Sequence, residues 1–240
     1  LDMKADLDDK ILKIGEKISI RRFEKVTADV VASYIHGGGR IGVLVAGNGA
    51  SDDAAKEALT NIAMQIAAMN PQYISRDEIS ADELAKMKEI TIDSALNDPF
   101  SLPKPVLSKL IEKAVAGVWS AEDVAIYEEK KSNMNFLPNF LSKEAKAQLA
   151  EIACADKEEI SGNKIFSGLV EGRISKQMKE ICLLDQVYVK AEDGKQTVAA
   201  YLKSVNPALK IAKFVRFEVG EGMEKKNEDF AAEVAKQMNV

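Results

Sequence analysis

Between Gly37 and Gly49 the chain carries a β-branched run, Ile41, Val43 and Val45, closed on one side by Gly37-Gly38-Gly39 and on the other by Gly47-Asn48-Gly49. Glycine at both ends supplies the backbone freedom of a sharp turn, so the run reads as a buried strand between tight turns and not as part of a helix. That strand needs partners. Ile211–Val219 is the clearest, alternating Phe214, Arg216 and Glu218 against Val215, Phe217 and Val219. Ile18 and Ile20, running into Arg21, Arg22 and Phe23, predict another, and Val187 with Val189 a short one. Thr27–Ile35 reads as a short helix or turn that leads into the glycines.

The remaining segments have helical spacing. Residues 8–14 look like the end of a helix closed by Gly15. Ser51 can cap a helix with Asp52 and Asp53 in its first turn, an apolar face of Leu59, Ile62, Ala63, Ile66 and Met69, and a stop at Asn70-Pro71. Ser80 with Glu83 has the capping-box spacing and opens a helix through Leu84, Met87, Thr91 and Ala95. Residues 97–162, broken by Pro99, Pro103 and Pro105, form a helical insertion carrying Leu107, Leu110, Ile111, Trp119, Ala145 and Leu149. Its faces are too narrow to bury themselves alone, so it must pack on something, with Trp119 as an anchor. Phe166, Leu169, Val170, Ile174, Met178 and Ile181 give a long amphipathic helix, and a further helix begins at Thr197. Phe230–Met238 reads as a closing helix. Few strands, many helices and no regular βαβ alternation predict an α+β fold, a small antiparallel sheet of about three strands packed against helices.

Composition narrows the chemistry. Lys+Arg 33 against Asp+Glu 38 gives a net charge of −5 over 240 residues, which argues against a phosphate-backbone partner, so no nucleic acid is expected. The single histidine, His36, and two distant cysteines, Cys154 and Cys182, leave no zinc pattern, and neither metal nor cofactor is expected. No apolar run approaches the ~20 residues of a membrane span, so no membrane is expected and the chain reads as cytoplasmic with reduced thiols. The opening Leu1 suggests a fragment or a processed form.

His36-Gly37-Gly38-Gly39 matches the oxyanion loop of some lipases, but no GxSxG elbow accompanies it and no second histidine could act as base. The glycines also lack the P-loop and dinucleotide spacings, which leaves a tight turn into a strand. His36 itself fits either a turn histidine bonded to its own loop or a surface contact. The scattered acids lie beside lysines on helical faces, as solvated surface does. No active site assembles.

Two blocks carry a resemblance. Ser33-Tyr34-Ile35-His36-Gly37 through Arg40-Ile41-Gly42-Val43-Leu44-Val45 to Ala67-Ala68, and Arg216-Phe217-Glu218-Val219-Gly220-Glu221-Gly222 followed by Asp229-Phe230-Ala231-Ala232-Glu233-Val234-Ala235, are similar to bacterial elongation factor Ts. Lys13-Ile14-Gly15 to Arg21-Arg22 and Val170-Glu171-Gly172-Arg173 fit the same family, in family order, over residues 8–96 and 165–240. The resemblance implies a guanine-nucleotide exchange factor for the translational GTPase EF-Tu, acting by protein binding with no catalytic side chain. It implies a remnant of a first core subdomain at 1–29 and a second, dimerisation-type subdomain at 30–225. The latter would carry an enlarged, protruding helical hairpin at 97–162, and a C-terminal helical module would occupy 226–240. Ile14, His36, Gly37, Phe230 and Val234 then fall at EF-Tu-contacting positions, and a homodimer through the second subdomain is a further implied partner. The family's Thr-Asp-Phe-Val segment, which inserts near the GTPase magnesium site, does not occur in these residues, so impaired exchange is expected. The alternative is a structural or dimerisation module in which exchange is vestigial.

Overall fold

The computed structural model describes residues 3–223, so Phe230, Val234 and the closing helix expected over 230–238 lie outside the described residues. The chain divides into two compact units, one made of the chain up to Asn70 and from Ala200 onward, the other of Pro71–Ala199. This partition by packing differs from the 1–29, 30–225 and 226–240 division implied by resemblance.

The first unit holds α1 (Lys4–Ile14), β1 (Val30–His36), β2 (Ile41–Asn48), α2 (Asp53–Met69), most of α9 (Val198–Val205) and β3 (Lys210–Glu218). β2 is the central strand of an antiparallel sheet in the order β1-β2-β3, with Tyr34 opposite Val43 and Val43 opposite Arg216. The α+β class and the small antiparallel sheet are as read from sequence, but one strand is not where expected. Thr27–Ile35 is not a helix or turn: Val30–His36 is a strand. Val30 and Ala32 point inward with a period of two, and the three glycines close a hairpin that places His36 opposite Ile41. All three take positive φ, 61°, 65° and 98°, which a side chain would resist.

Ile18–Phe23, expected as a strand, forms no ladder among the described residues. It crosses beside β3 through side chains instead. Arg22 donates to Glu221 at 2.7 Å and lies 4.2 Å over the Phe217 ring, and Lys213 pairs with Glu24 at 3.0 Å. Sequence alternation reports two faces of unlike environment and does not supply a backbone partner.

α2 covers one face of the sheet. Ala55, Leu59, Ile62, Ala63 and Ile66 are buried against Val30, Ala32, Val43 and Val45. Each large aliphatic side chain so buried contributes about 1.5–3 kcal/mol. Met69, read as part of this face, is instead exposed at the helix end. The cap is Asp52 and not Ser51: Asp52 is the extended residue, and its carboxylate accepts from Ala55 N at 2.7 Å. Arg216 reaches the Ala67 carbonyl at 3.5 Å, placing a cation at the negative end of α2.

The second unit is helical: α3 (Ala81–Asn97), α4 (Lys104–Val115), α5 (Ala121–Lys130), α6 (Lys143–Ala155), α7 (Lys157–Ser161) and α8 (Lys164–Ile181). The expected capping box opens α3, with Ser80 and Glu83 bonded reciprocally. The insertion packs as its narrow faces require. Leu107, Leu110, Ile111, Leu137 and Leu149 join Ala95 and Leu96 of α3 and Phe166 and Val170 of α8 in one core. Trp119 anchors it, donating from Nε1 to the Ala145 carbonyl at 2.9 Å and meeting Tyr127 edge-on. The short strand expected at Val187 and Val189 is a single bridge from Val187 to Thr197, and both valines are exposed.

Candidate functional site

Of the residues singled out from sequence, Ile14, His36 and Gly37 belong to the sheet unit, and Phe230 and Val234 lie outside the described residues. β1 delivers His36 to the hairpin end, exposed, with its ring held from the side by its own strand. The Tyr34 hydroxyl lies 3.0 Å from His36 Nδ1, and the ring centroids are 5.9 Å apart. The bond that a turn histidine would make to its loop is absent among the described residues, and Tyr34 takes its place. That partner was readable in principle, since residues two apart on a strand share a face. Gly37 is exposed beside it, and a Cβ there would meet the Arg40 side chain at 3.6 Å. Ile14 ends α1, a helix with no buried residue, and is 59% exposed, so it is not a core residue at a helix end.

Next to the hairpin runs a groove of about 990 Å³, lined by Ile18, Ile20, Arg22, Arg40, Phe217 and Met223 among others. Sequence reading missed it because the lining comes from both ends of the chain. Its rim is charged. Glu221 accepts from Arg22 and from the Glu218 backbone at 3.3 Å, and the Arg22 bond, ahead of the backbone one, holds its carboxyl below the usual carboxylate range. Arg21 donates to the Glu221 carbonyl at 2.6 Å. Val219 in the groove lining and Ile35 on β1 are apolar residues left 70% and 65% exposed.

This arrangement is an open, charged and partly apolar surface. Among the described residues no three His, Cys, Asp or Glu side chains are grouped to hold a metal ion, and no helix is long and apolar enough to cross a membrane. The helical unit carries its own polar cluster, but it closes inward. Buried Asp123 accepts from Ser142 N and Oγ, each at 2.9 Å, and from Ser120 Oγ at 2.8 Å. The Ser142 N–H and then the two hydroxyls hold its carboxyl low against the opposing effect of burial. Cys182, fully buried, has its thiol pushed up by burial.

Comparison with known proteins decides the family. The family profile "Elongation factor TS" matches residues 2–128 and 124–221. The chain belongs to the elongation factor Ts family. It is 38% identical over 242 residues to elongation factor Ts of Clostridioides difficile (strain 630), covering 99% of this chain and 60% of that protein. It is 35% identical over 239 residues to elongation factor Ts of Halothermothrix orenii, covering 99% and 58%. The factor of Clostridium botulinum (strain Eklund 17B / Type B) is 36% identical over 235 residues, covering 95% and 57%. The chain thus spans well under two thirds of the length of these relatives. The hairpin, the groove lining other than Met223, and the block from Arg216 to Glu221 fall within the matched stretches.

Proposed function

We propose that these 240 residues bind EF-Tu through the hairpin end of the sheet unit and stabilise its nucleotide-free form, promoting GDP release. The observation that carries this reading is His36, exposed at the end of β1 and braced by Tyr34, inside one of the two blocks that carry the family resemblance. Ile14 and Gly37, both exposed, extend the contact, and Phe230 and Val234 add a docking element from residues outside the described part.

No catalytic side chain is needed. A factor that prefers empty EF-Tu to the nucleotide-bound form weakens nucleotide affinity by the same ratio, and a coupling of ~4 kcal/mol corresponds to roughly a thousandfold. Displacing the elements that hold Mg²⁺ and the phosphates would supply that coupling. These residues contain no Thr-Asp-Phe-Val segment, so alone they should bind EF-Tu yet release GDP slowly.

Stopped-flow release of a fluorescent GDP analogue from EF-Tu tests both statements. A small acceleration is expected, and rates equal to those of a complete factor would refute the role given to that segment. His36→Ala should weaken EF-Tu binding while changing stability by less than about 1 kcal/mol. Unchanged binding with a large loss of stability would return His36 to a structural role.

A second reading, self-association through the second subdomain, is favoured by exposed Ile35 and Val219 on the sheet and its margin. Light scattering separates the two readings. A dimer that disappears with Ile35→Lys supports assembly, and a monomer in both forms removes it.

A further inference from the structure

Tyr34 and His36 sit two residues apart on β1 and therefore on one face of the sheet, where the Tyr34 hydroxyl and His36 Nδ1 are 3.0 Å apart. We propose that Tyr34 is a positioning residue for partner binding. It holds the His36 ring in one orientation with the proton on Nε2, so that an N–H donor faces outward toward a hydrogen-bond acceptor, a carbonyl or carboxylate, on the partner. The proposal rests on the reading of His36 as a contact.

The chemistry of the two groups gives the direction of the bond. Neutral imidazole has one donor nitrogen and one acceptor nitrogen, and the hydrogen bond made by one of them decides which carries the proton. A phenol hydroxyl is a good donor and an imidazole lone pair a stronger acceptor than a phenol oxygen, so Tyr34 donates to Nδ1 and the ring proton resides on Nε2. The rings are tilted by 39° with centroids 5.9 Å apart, so the hydrogen bond, and not stacking, sets the orientation. Tyr34 suits the task because its own place is fixed. It is half-buried, opposite Val43 in the ladder and two residues from buried Ala32, whereas His36 is exposed. An exposed ring with no brace would be ordered only on binding, at the expense of affinity.

His36 is the only histidine in the chain, so its ring nitrogens give a single set of signals in a ¹⁵N-labelled sample. At a pH where histidine is neutral, the free chain should show the Nε2–H tautomer alone, and Tyr34→Phe should show averaged tautomers. An averaged pattern before substitution, or an unchanged one after it, overturns the proposal with no partner present. Against EF-Tu, Tyr34→Phe should weaken binding about threefold to tenfold, the worth of one ordinary hydrogen bond. The double variant Tyr34→Phe/His36→Ala should bind no more weakly than His36→Ala. Penalties that add would mean that Tyr34 acts independently of the ring, which also overturns the proposal. If instead His36→Ala binds like the unaltered chain while the tautomer is fixed as expected, the contact reading fails and the hold of Tyr34 on the ring survives.

Discussion

The two units solve the same packing problem in different ways. The helical unit turns its chemistry inward: Trp119 bonds a buried carbonyl, Asp123 ties the serines that cap α5 and α6, and Phe166 is sealed in the core. The sheet unit buries one face under α2 and leaves His36, Ile14, Arg40 and an Arg-rimmed groove at its surface. The helical unit also leaves apolar side chains exposed, Ile90, Phe136 and Phe140 among them, but its buried polar cluster is closed on itself. Polar recognition should therefore concentrate in the sheet unit. The chain supplies a reporter for each, because its one tryptophan, Trp119, lies in the helical unit and its one histidine, His36, in the sheet unit.

The comparison can be broken most forcefully at Phe166. Phe166→Ala should cost the helical unit about 3–5 kcal/mol, seen as a shift of the Trp119 fluorescence transition in denaturant. If the His36 ring signals move along the same curve, the two units unfold as one and the contrast fails. Next in size is Gly49→Ala in the sheet unit. Gly49 sits at φ 93°, and a Cβ there would run into the Ala208 carbonyl. A loss of about 2–3 kcal/mol is expected, read from the His36 signals with Trp119 nearly unmoved.

The smallest effect concerns acid. Asp123 has a folded pKa below its unfolded one, so its stabilisation is complete above about pH 4 and is lost as pH falls through the folded value. Asp123→Asn should remove about 1–2 kcal/mol at neutral pH and flatten the acid limb of the Trp119 transition. An acid limb of unaltered slope would show that other carboxylates govern it.

Much of this was legible from residue order. The glycine-bounded strand, the Ser80–Glu83 capping box and the α2 face are each decided by a few neighbouring residues. Failures came where strand pairing or backbone geometry decides and residue type alone does not. Val30–His36 becomes a strand because β2 is available to pair with it, and Ile18–Phe23 does not because β3 receives its side chains and not its backbone. Asp52 displaces Ser51 as cap by its extended backbone, a choice between two good capping residues that sequence leaves even. At the candidate site, His36, Gly37 and Ile14 were marked by resemblance, and the Tyr34 brace was missed because Thr27–Ile35 reads as a helix or turn. The groove was beyond reach, since Ile18 and Phe217 meet only after the chain has traversed the helical unit.

The helical unit is also latched where it begins and ends. Gln72 and Tyr73 donate to the Ile181 carbonyl, Leu183 and Leu184 donate back to Tyr73 and Ile74, and Arg76 grips Asp185 at 2.7 Å. With its two ends clasped together, everything between α3 and α8 is a closed loop hung from a fixed point, and lengthening such a loop adds only a slowly growing entropy penalty. Helices could thus be gained or shed between Asn97 and Lys164 over evolutionary time without the clasp registering the difference.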